Sequence, residues 1–411
     1  MATKYGSVRK RHHIFDRRTA RARVRQLISS GADIFYATTG AGLGVGKLVW
    51  EVAGISPAFA GQYVPYDEML FDEFVERKWQ ETGEPRCGLQ SALALAQSAY
   101  FTAQRACVKK GRLGVRPVGV GLTAAAATNR TLRGGTRCFA AVRTDAGIWS
   151  VEVRMEQGKL GRIGDGNVCD LIALNLGLFG AGIEGVPFAS GELGLTSANF
   201  EGFSLSPHPV PCPDLKLDGF VDVYIDELGI ATPLLNLPSN HFEGKVVFPG
   251  SFNLMHFAHD AAANKVREET GRQVIFEMTA DHAHKSSSLA EVAARAWQFR
   301  GRWPVIVRRG VSRFVDKCHA YPCAWFLCGM DVAEKVLDPK YYPESGGLLG
   351  ALESLRLQDV GFYVMDRREP DGRLKTKADL AIPDGYSALF NQVSTHWDVR
   401  SSDLRTARGT K

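Results

Sequence analysis

Apolar and small residues recur at intervals of three and four between Gly88 and Lys110 (Leu93, Ala96, Tyr100, Ala103, Cys107), which predicts a long helix stopped by Lys109-Lys110-Gly111. The same reading predicts a shorter helix that ends at Leu27-Ile28, and another over Lys47–Ala53. Ala32–Ala37 is an unbroken apolar run of buried-strand type, and Val118–Leu122 and Arg137–Arg143 are further strands. Ile148–Met155 alternates as a half-exposed strand does, Val64–Asp67 is a short strand or loop, and Cys169–Leu178 is a closing helix.

Between Gly185 and Pro238 the pattern breaks up, because Pro207, Pro209, Pro211, Pro213, Pro233 and Pro238 forbid long helices and leave only short strands such as Phe220–Ile225. From Lys245 strands and helices alternate. Val246–Phe248, Gln273–Thr279, Val305–Arg308, Ala324–Asp331 and Gly361–Asp366 read as strands, and helices fall at His256–Gly271, Leu289–Arg300 and Val311–His319. That alternation specifies a parallel sheet with right-handed crossovers, whose ligands lie at the carboxyl ends of the strands. The expected organisation is a basic helix at 1–30, an α/β domain at 31–184, a proline-rich connection at 185–243 and a second α/β domain at 244–411.

Composition narrows the class without naming a chemistry. A chain of 411 residues with 45% hydrophobic and 23% charged residues can bury two cores. No run of 18 apolar residues occurs and the N-terminus lacks an apolar signal region, so a cytoplasmic protein without membrane contact is expected. The formal charge of +6 is concentrated in Lys4–Arg25, where nine basic residues face only Asp16. That makes the segment a solvated helix rather than a nucleic-acid surface. Cys318, Cys323 and Cys328 recur every five residues, a spacing that suits reduced core thiols and not a metal pair.

Chemistry enters at Lys245–His259. A short strand runs into the Pro249-Gly250 turn and then a helix start carrying His256 and His259, an i, i+3 pair on one face. Unpaired N–H groups and two imidazoles at a helix N-terminus suit a phosphate. Gly250, Phe252, His256 and His259 resemble the signature Gly-x-Phe-x-Pro-x-His-x-Gly-His of the nucleotidylyltransferases, with Leu254 in place of proline and Ala258 in place of glycine. The glycine-rich stretch Thr38–Lys47 is not a P-loop, since Ala41 stands where a glycine is needed and Leu48 where Ser or Thr would hold magnesium.

Further stretches resemble the same family. Asp281–Lys285 resembles the loop after the second strand in pyridine-nucleotide adenylyltransferases, and Gly329-Met-Asp331 resembles the family's Gly-x-Asp. Val399–Arg405 resembles Ile-Ser-Ser-Ser-x-Ile-Arg, matching at Ser401, Ser402 and Arg405 and departing at Arg400. The resemblance implies a Rossmann-like parallel-sheet domain that catalyses attack of a substrate phosphate on a nucleoside triphosphate, with Mg²⁺ on the triphosphate and no protein metal site. It assigns His256, His259 and Lys285 to phosphate and transition-state charge. Gly250, Ser251, Phe252, Asp331, Ser401, Ser402 and Arg405 would bind the nucleotide, the last three as a serine-capped second clamp facing the histidines.

The region Ala32–Leu178 resembles the C-terminal domain of the CinA family through Thr39-Gly40, Gly54-Ile-Ser56 and Pro65-Tyr66 taken in order. Aligned on Thr39-Gly40, that family's serine nucleophile falls on Ala37 and its lysine near Phe71, so its amide hydrolysis does not carry over. A fused two-domain α/β chain is expected: a CinA-like module that binds nucleotide or assembles without hydrolysis, and an adenylyltransferase acting on nicotinamide or nicotinate mononucleotide with ATP. The expected partners are the triphosphate, a phosphorylated small-molecule acceptor and further copies of the chain. A cytidylyltransferase acting on a phospho-alcohol and a non-catalytic pyridine-nucleotide regulator stay open.

Overall fold

The computed structural model describes residues 17–128, 135–157, 159–186, 208–209, 222–279, 281–282, 285–286, 289–309, 314–343, 346–369, 371–395, 399 and 401–409. The chain divides into two compact units, one of residues 1–103, 116–144 and 149–208, the other of residues 104–115, 145–148 and 209–411. The stretches Leu122–Arg130 and Arg133-Gly134 lie partly outside the described residues.

In the first unit the order is α1 (Arg17–Leu27), β1 (Ala32–Thr39), α2 (Val45–Trp50), β2 (Phe59–Tyr63), α3 (Glu68–Val75), α4 (Leu89–Lys109), β3 (Arg116–Ala125), β4 (Thr136–Thr144), β5 (Gly147–Met155), α5 (Gly161–Gly180) and the two-residue β6 (His208–Pro209). The sheet runs β2-β1-β3-β4-β5-β6, with β1 parallel to β2 and β3, and β4 antiparallel to β3. Its two faces are written into β3. Val118, Val120 and Leu122 enter the core shared with α5, while Gly119 and Gly121 face α4. A Cβ on Gly119 would lie 2.1 Å from the Tyr100 nitrogen, and one on Gly121 2.3 Å from the Ala92 oxygen, so only glycine lets this helix close on the strand.

One expectation shifts here and one element is new. The closing helix begins at Gly161, eight residues before Cys169, because Gly161, Gly164 and Gly166 hide its first two turns in the sequence. Val64–Asp67, expected as a short strand or loop, is the loop that follows edge strand β2. Asp67 then caps α3 by accepting from Met69 N at 2.9 Å, an element the sequence reading missed.

The second unit continues with β7 (Val223–Ile225), β8 (Ala231–Pro233), β9 (Val246–Gly250), α6 (Phe257–Thr270), β10 (Val274–Thr279), β11 (Asp281–His282), β12 (Lys285–Ser286), α7 (Leu289–Ala296), β13 (Val305–Arg308), α8 (Phe314–Ala320), β14 (Trp325–Gly329), α9 (Met330–Val336), α10 (Gly347–Leu357), β15 (Phe362–Met365), β16 (Arg367–Arg368), β17 (Leu374–Lys375), β18 (Phe390–Val393) and α11 (Ser401–Arg408). Eight strands form one sheet in the order β18-β15-β14-β9-β10-β13-β7-β8. The six from β18 to β13 are parallel, and β7 and β8 extend the edge antiparallel. The chain winds outward in both directions from β9, so the switch point lies between β9 and β14. The proline-rich stretch therefore contributes two strands to this sheet.

Strand alternation divides this core. Val247, Ile275, Ile306 and Phe326 pack with Cys318, Tyr321, Leu352 and Leu355 on one face. On the other, Phe248, Phe252, Phe276 and Phe299 form an aromatic cluster with ring centroids 4.8 to 5.4 Å apart. Helix α6 is stopped by Gly271 at φ +70°, as its position in the sequence predicts. The helix expected at Leu289–Arg300 tightens to a 3-10 turn over Trp297–Phe299. Among the described residues no helix is long and apolar enough to cross a membrane, and the described cysteines are free thiols.

Candidate functional site

The loop from Ser251 to His256 leaves β9 beside the switch point and is fixed first by its aromatic anchor. Phe252 is buried, at φ +39°, and its ring centroid lies 5.0 Å from that of Phe276 and 5.1 Å from that of His259. That ring lies over Gly250, where a Cβ would approach it to 2.7 Å, which explains the glycine. Leu254 is at φ +89°. Proline is locked near −65°, so the residue that the signature shows at this position could not adopt the conformation found here.

Four consecutive carbonyls of this loop are held by side chains. Arg295 donates to Ser251 O at 3.2 Å, Gln298 to Phe252 O at 3.0 Å, Arg405 to Asn253 O, and Ser401 to Leu254 O at 3.0 Å. Gln298 also accepts from Met255 N at 2.7 Å, and Gln104 accepts from Phe257 N at 2.8 Å. Among the described residues the N–H groups of Phe252, Asn253 and Leu254 have no acceptor. The sign of φ alternates along 251–254, as it does where successive N–H groups line an anion-binding arc.

His256 stands at the N-cap of α6 and His259 one turn in, with their rings stacked at 3.7 Å between centroids. His256 N donates to His259 Nδ1 at 3.4 Å, and His256 Nδ1 is buried with no hydrogen-bond partner among the described residues. Burial pushes His259 down to about 4. Burial, the adjacent His259 and Arg408 together hold His256 well below the ordinary imidazole range. Both rings are therefore neutral donors at neutral pH.

A stability prediction follows from that neutrality. The unfolded chain's imidazoles titrate near ~6.5, so below that pH it binds protons the native pair does not accept. The contribution is complete above about pH 6.5 and is lost as pH falls toward 4. Denaturant midpoints should fall across this window, and fall less steeply in a His256→Asn/His259→Asn protein. Equal slopes in the two proteins would show that the rings do not titrate differently on unfolding.

The remaining candidates separate. Ser401 and Arg405 reach the histidine loop, where the Ser401 hydroxyl donates to Leu254 O. Ser402 is exposed and donates to Asp403 at 3.3 Å, away from the loop. Asp331 is exposed in the first turn of α9, at the end of the adjacent strand, 3.9 Å from Arg367. The backbone of Lys285 lies in the short β11–β12 pair, opposite His282, and its side chain falls outside the described residues, as does Arg400. Sequence reasoning missed Arg295, Gln298 and Gln104; the only signal was a glutamine inside the apolar run Ala296-Trp-Gln-Phe299.

Asp260, next to His259, is a structural carboxylate. It accepts from Arg302 Nε and a second guanidinium nitrogen at 2.8 Å each, and from Trp303 Nε1 at 2.7 Å. These bonds fasten the first turn of α6 to the segment entering β13. Among the described residues no cluster of three His, Cys, Asp or Glu side chains could hold a metal ion.

In the first unit the position aligned with a serine nucleophile is Ala37, fully buried near Phe71 and Trp79. The neighbouring Thr38 is also buried, and its hydroxyl accepts from Gln62 Nε2 at 2.9 Å. Gln62 in turn accepts from Gly46 N at 2.9 Å, so it braces the glycine-rich turn. Asp170 accepts from Gly44 N at 2.7 Å, and burial raises its carboxyl to about 6.

No curated protein matches the chain. Among solved structures, the competence/damage-inducible protein CihA from Agrobacterium tumefaciens is similar at 16% identity over 40% of this chain and 96% of its own, with a TM-score of 0.33. A CinA-superfamily protein from Escherichia coli matches at 11% identity over 43% of this chain and 97% of its own, with a TM-score of 0.29. The competence damage-inducible protein A from Klebsiella pneumoniae matches at 12% over 39% and 92%, with a TM-score of 0.30. Residues 247–344, which run from within β9 past the Gly329–Asp331 turn, match the model of the cytidylyltransferase-like family, and the second unit thus carries a nucleotidylyltransferase-type domain.

Proposed function

We propose that the second unit transfers a nucleotidyl group from a nucleoside triphosphate to a phosphorylated acceptor, releasing pyrophosphate. The observation that carries this reading is the loop at 251–256. Its carbonyls are tied to the protein, three of its N–H groups are unclaimed among the described residues, and a buried, unpartnered imidazole nitrogen stands at its end. Such a surface offers donors to phosphate oxygens. Catalysis is then positioning and stabilisation of charge as the acceptor phosphate attacks the α-phosphorus and pyrophosphate leaves. His256 and His259 donate to the triphosphate, and Ser401 and Arg405 hold the loop. Mg²⁺ enters on the triphosphate, since the carboxylate adjoining the histidines, Asp260, is engaged by Arg302 and Trp303.

The favoured reaction is adenylyl transfer from ATP to nicotinamide or nicotinate mononucleotide, because the motifs of both halves resemble families that handle these nucleotides. The cytidylyltransferase-like match favours a second reading, cytidylyl transfer to a phospho-alcohol. The first unit is proposed to be a non-hydrolytic binding or assembly module, supported by the buried Ala37 and the engaged Thr38 hydroxyl. The test is incubation of the full chain with Mg²⁺, each nucleoside triphosphate and a panel of phosphorylated acceptors, following pyrophosphate and, from nicotinamide mononucleotide, ammonia. Pyrophosphate without ammonia is expected; its absence with every pair would end the transferase reading, and ammonia release would end the non-hydrolytic one.

Arg405→Ala removes a positive charge and the tether on Asn253 O. An increase of roughly 10-fold in KM for the triphosphate is expected, with cooperative unfolding retained. An unchanged KM would show that α11 does not shape the phosphate site.

A further inference from the structure

Gln298 lies outside every motif that points to nucleotide chemistry, yet it makes two bonds across the centre of the phosphate loop. It is buried, at 6% exposure, in the 3-10 turn after α7. Its Nε2 donates to Phe252 O at 3.0 Å and to Arg295 O at 3.3 Å, and its Oε1 accepts from Met255 N at 2.7 Å. Two carbonyls on one side and an N–H on the other fix which end of the amide is nitrogen. The residues it brackets include Leu254 at φ +89°, two residues after Phe252 at φ +39°, a left-handed backbone that non-glycine residues hold only when their surroundings fix it.

We propose that Gln298 is a positioning residue for phosphate binding, which rests on the nucleotidyl-transfer reading of the same loop. In a trans peptide the carbonyl and the following N–H point in opposite directions. Anchoring Phe252 O on Gln298 turns the N–H of Asn253 away from α7, and anchoring Met255 N fixes the residue that delivers His256. One side chain thereby sets the direction of a donor at the centre of the loop and the place of the imidazole at its end. Among side chains of this length only a protonated glutamic acid would also offer an uncharged donor and acceptor together.

Two variants separate positioning from packing. Gln298→Met keeps the length and apolar contacts but makes neither bond. Gln298→Glu keeps the acceptor for Met255 N, and its other oxygen donates to Phe252 O only when protonated. Tripolyphosphate affinity of the full chain, measured by calorimetry between pH 5 and 8, is the readout, with thermal unfolding alongside. We expect Gln298→Met to bind at least ~10-fold more weakly than wild type at every pH. Gln298→Glu should be as weak at pH 8 and recover as pH falls through the carboxyl range, a dependence that loss of packing alone would not produce. Wild-type affinity in a folded Gln298→Met protein, or a Gln298→Glu profile parallel to wild type, overturns the positioning role. If wild type itself binds no polyphosphate, the transferase reading fails and takes this inference with it. Should Gln298→Met not fold, the Gln298→Glu profile decides alone.

Discussion

Alanine in place of either His256 or His259 should lower nucleotidyl transfer at least ~100-fold at saturating substrate, about 2.7 kcal/mol of transition-state stabilisation. The two rings lie 3.7 Å apart between centroids, and His256 carries a buried nitrogen that no group among the described residues satisfies. Neutral imidazoles of this kind strengthen their contact as charge grows on the phosphates, which is the differential binding that catalysis requires. The fold should persist, because α6 is anchored by Phe257, Ala262, Ala263 and Val266 rather than by the imidazoles. Steady-state rates with a cooperative unfolding control check this, and wild-type turnover in both variants would remove the pair from the chemistry.

The second large effect is on stability. Asp260→Ala leaves the Arg302 guanidinium, with 5% of its side chain exposed, without its counter-charge and strips the acceptor from Trp303 Nε1. Breaking a buried pair of this kind costs roughly 3–5 kcal/mol, much of it the penalty of the stranded charge. Replacing both partners with apolar residues, Asp260→Leu with Arg302→Met, should restore much of the loss, since neither member of the pair is then left buried without the other. Urea unfolding distinguishes the cases: a single variant within ~1 kcal/mol of wild type would mean that solvent reaches the site and screens it.

Much of the second sheet was legible because its central strands are continuous apolar runs bounded by turn residues and separated by helices of ordinary length. Helix α6 declared both ends, through the polar start at His256 and the glycine at 271. What stayed hidden had weak local signals. Strand β2 is half-buried along its length and carries no alternation, and α5 opens on glycines that lower helix propensity while serving the tertiary packing. Sequence also supplied His256, His259, Gly250, Phe252, Ser401 and Arg405, which the structure gathers at one loop. It could not supply Arg295 and Gln298, whose contribution is a bond to a backbone carbonyl more than forty residues away. No spacing encodes such a contact, because any side chain with a donor of suitable reach could make it.

The tethers of the loop also set a clock on its assembly. Ser401 and Arg405 reach back 147 and 152 residues to the carbonyls they hold. At about 5–20 residues per second of synthesis, a nascent chain spends roughly 7–30 s with β9 already emerging and those two carbonyls still unclaimed. During that interval Phe252 can bury its ring while part of the turn it anchors still samples other conformations. The proposed phosphate loop is therefore completed only after α11 has been synthesised.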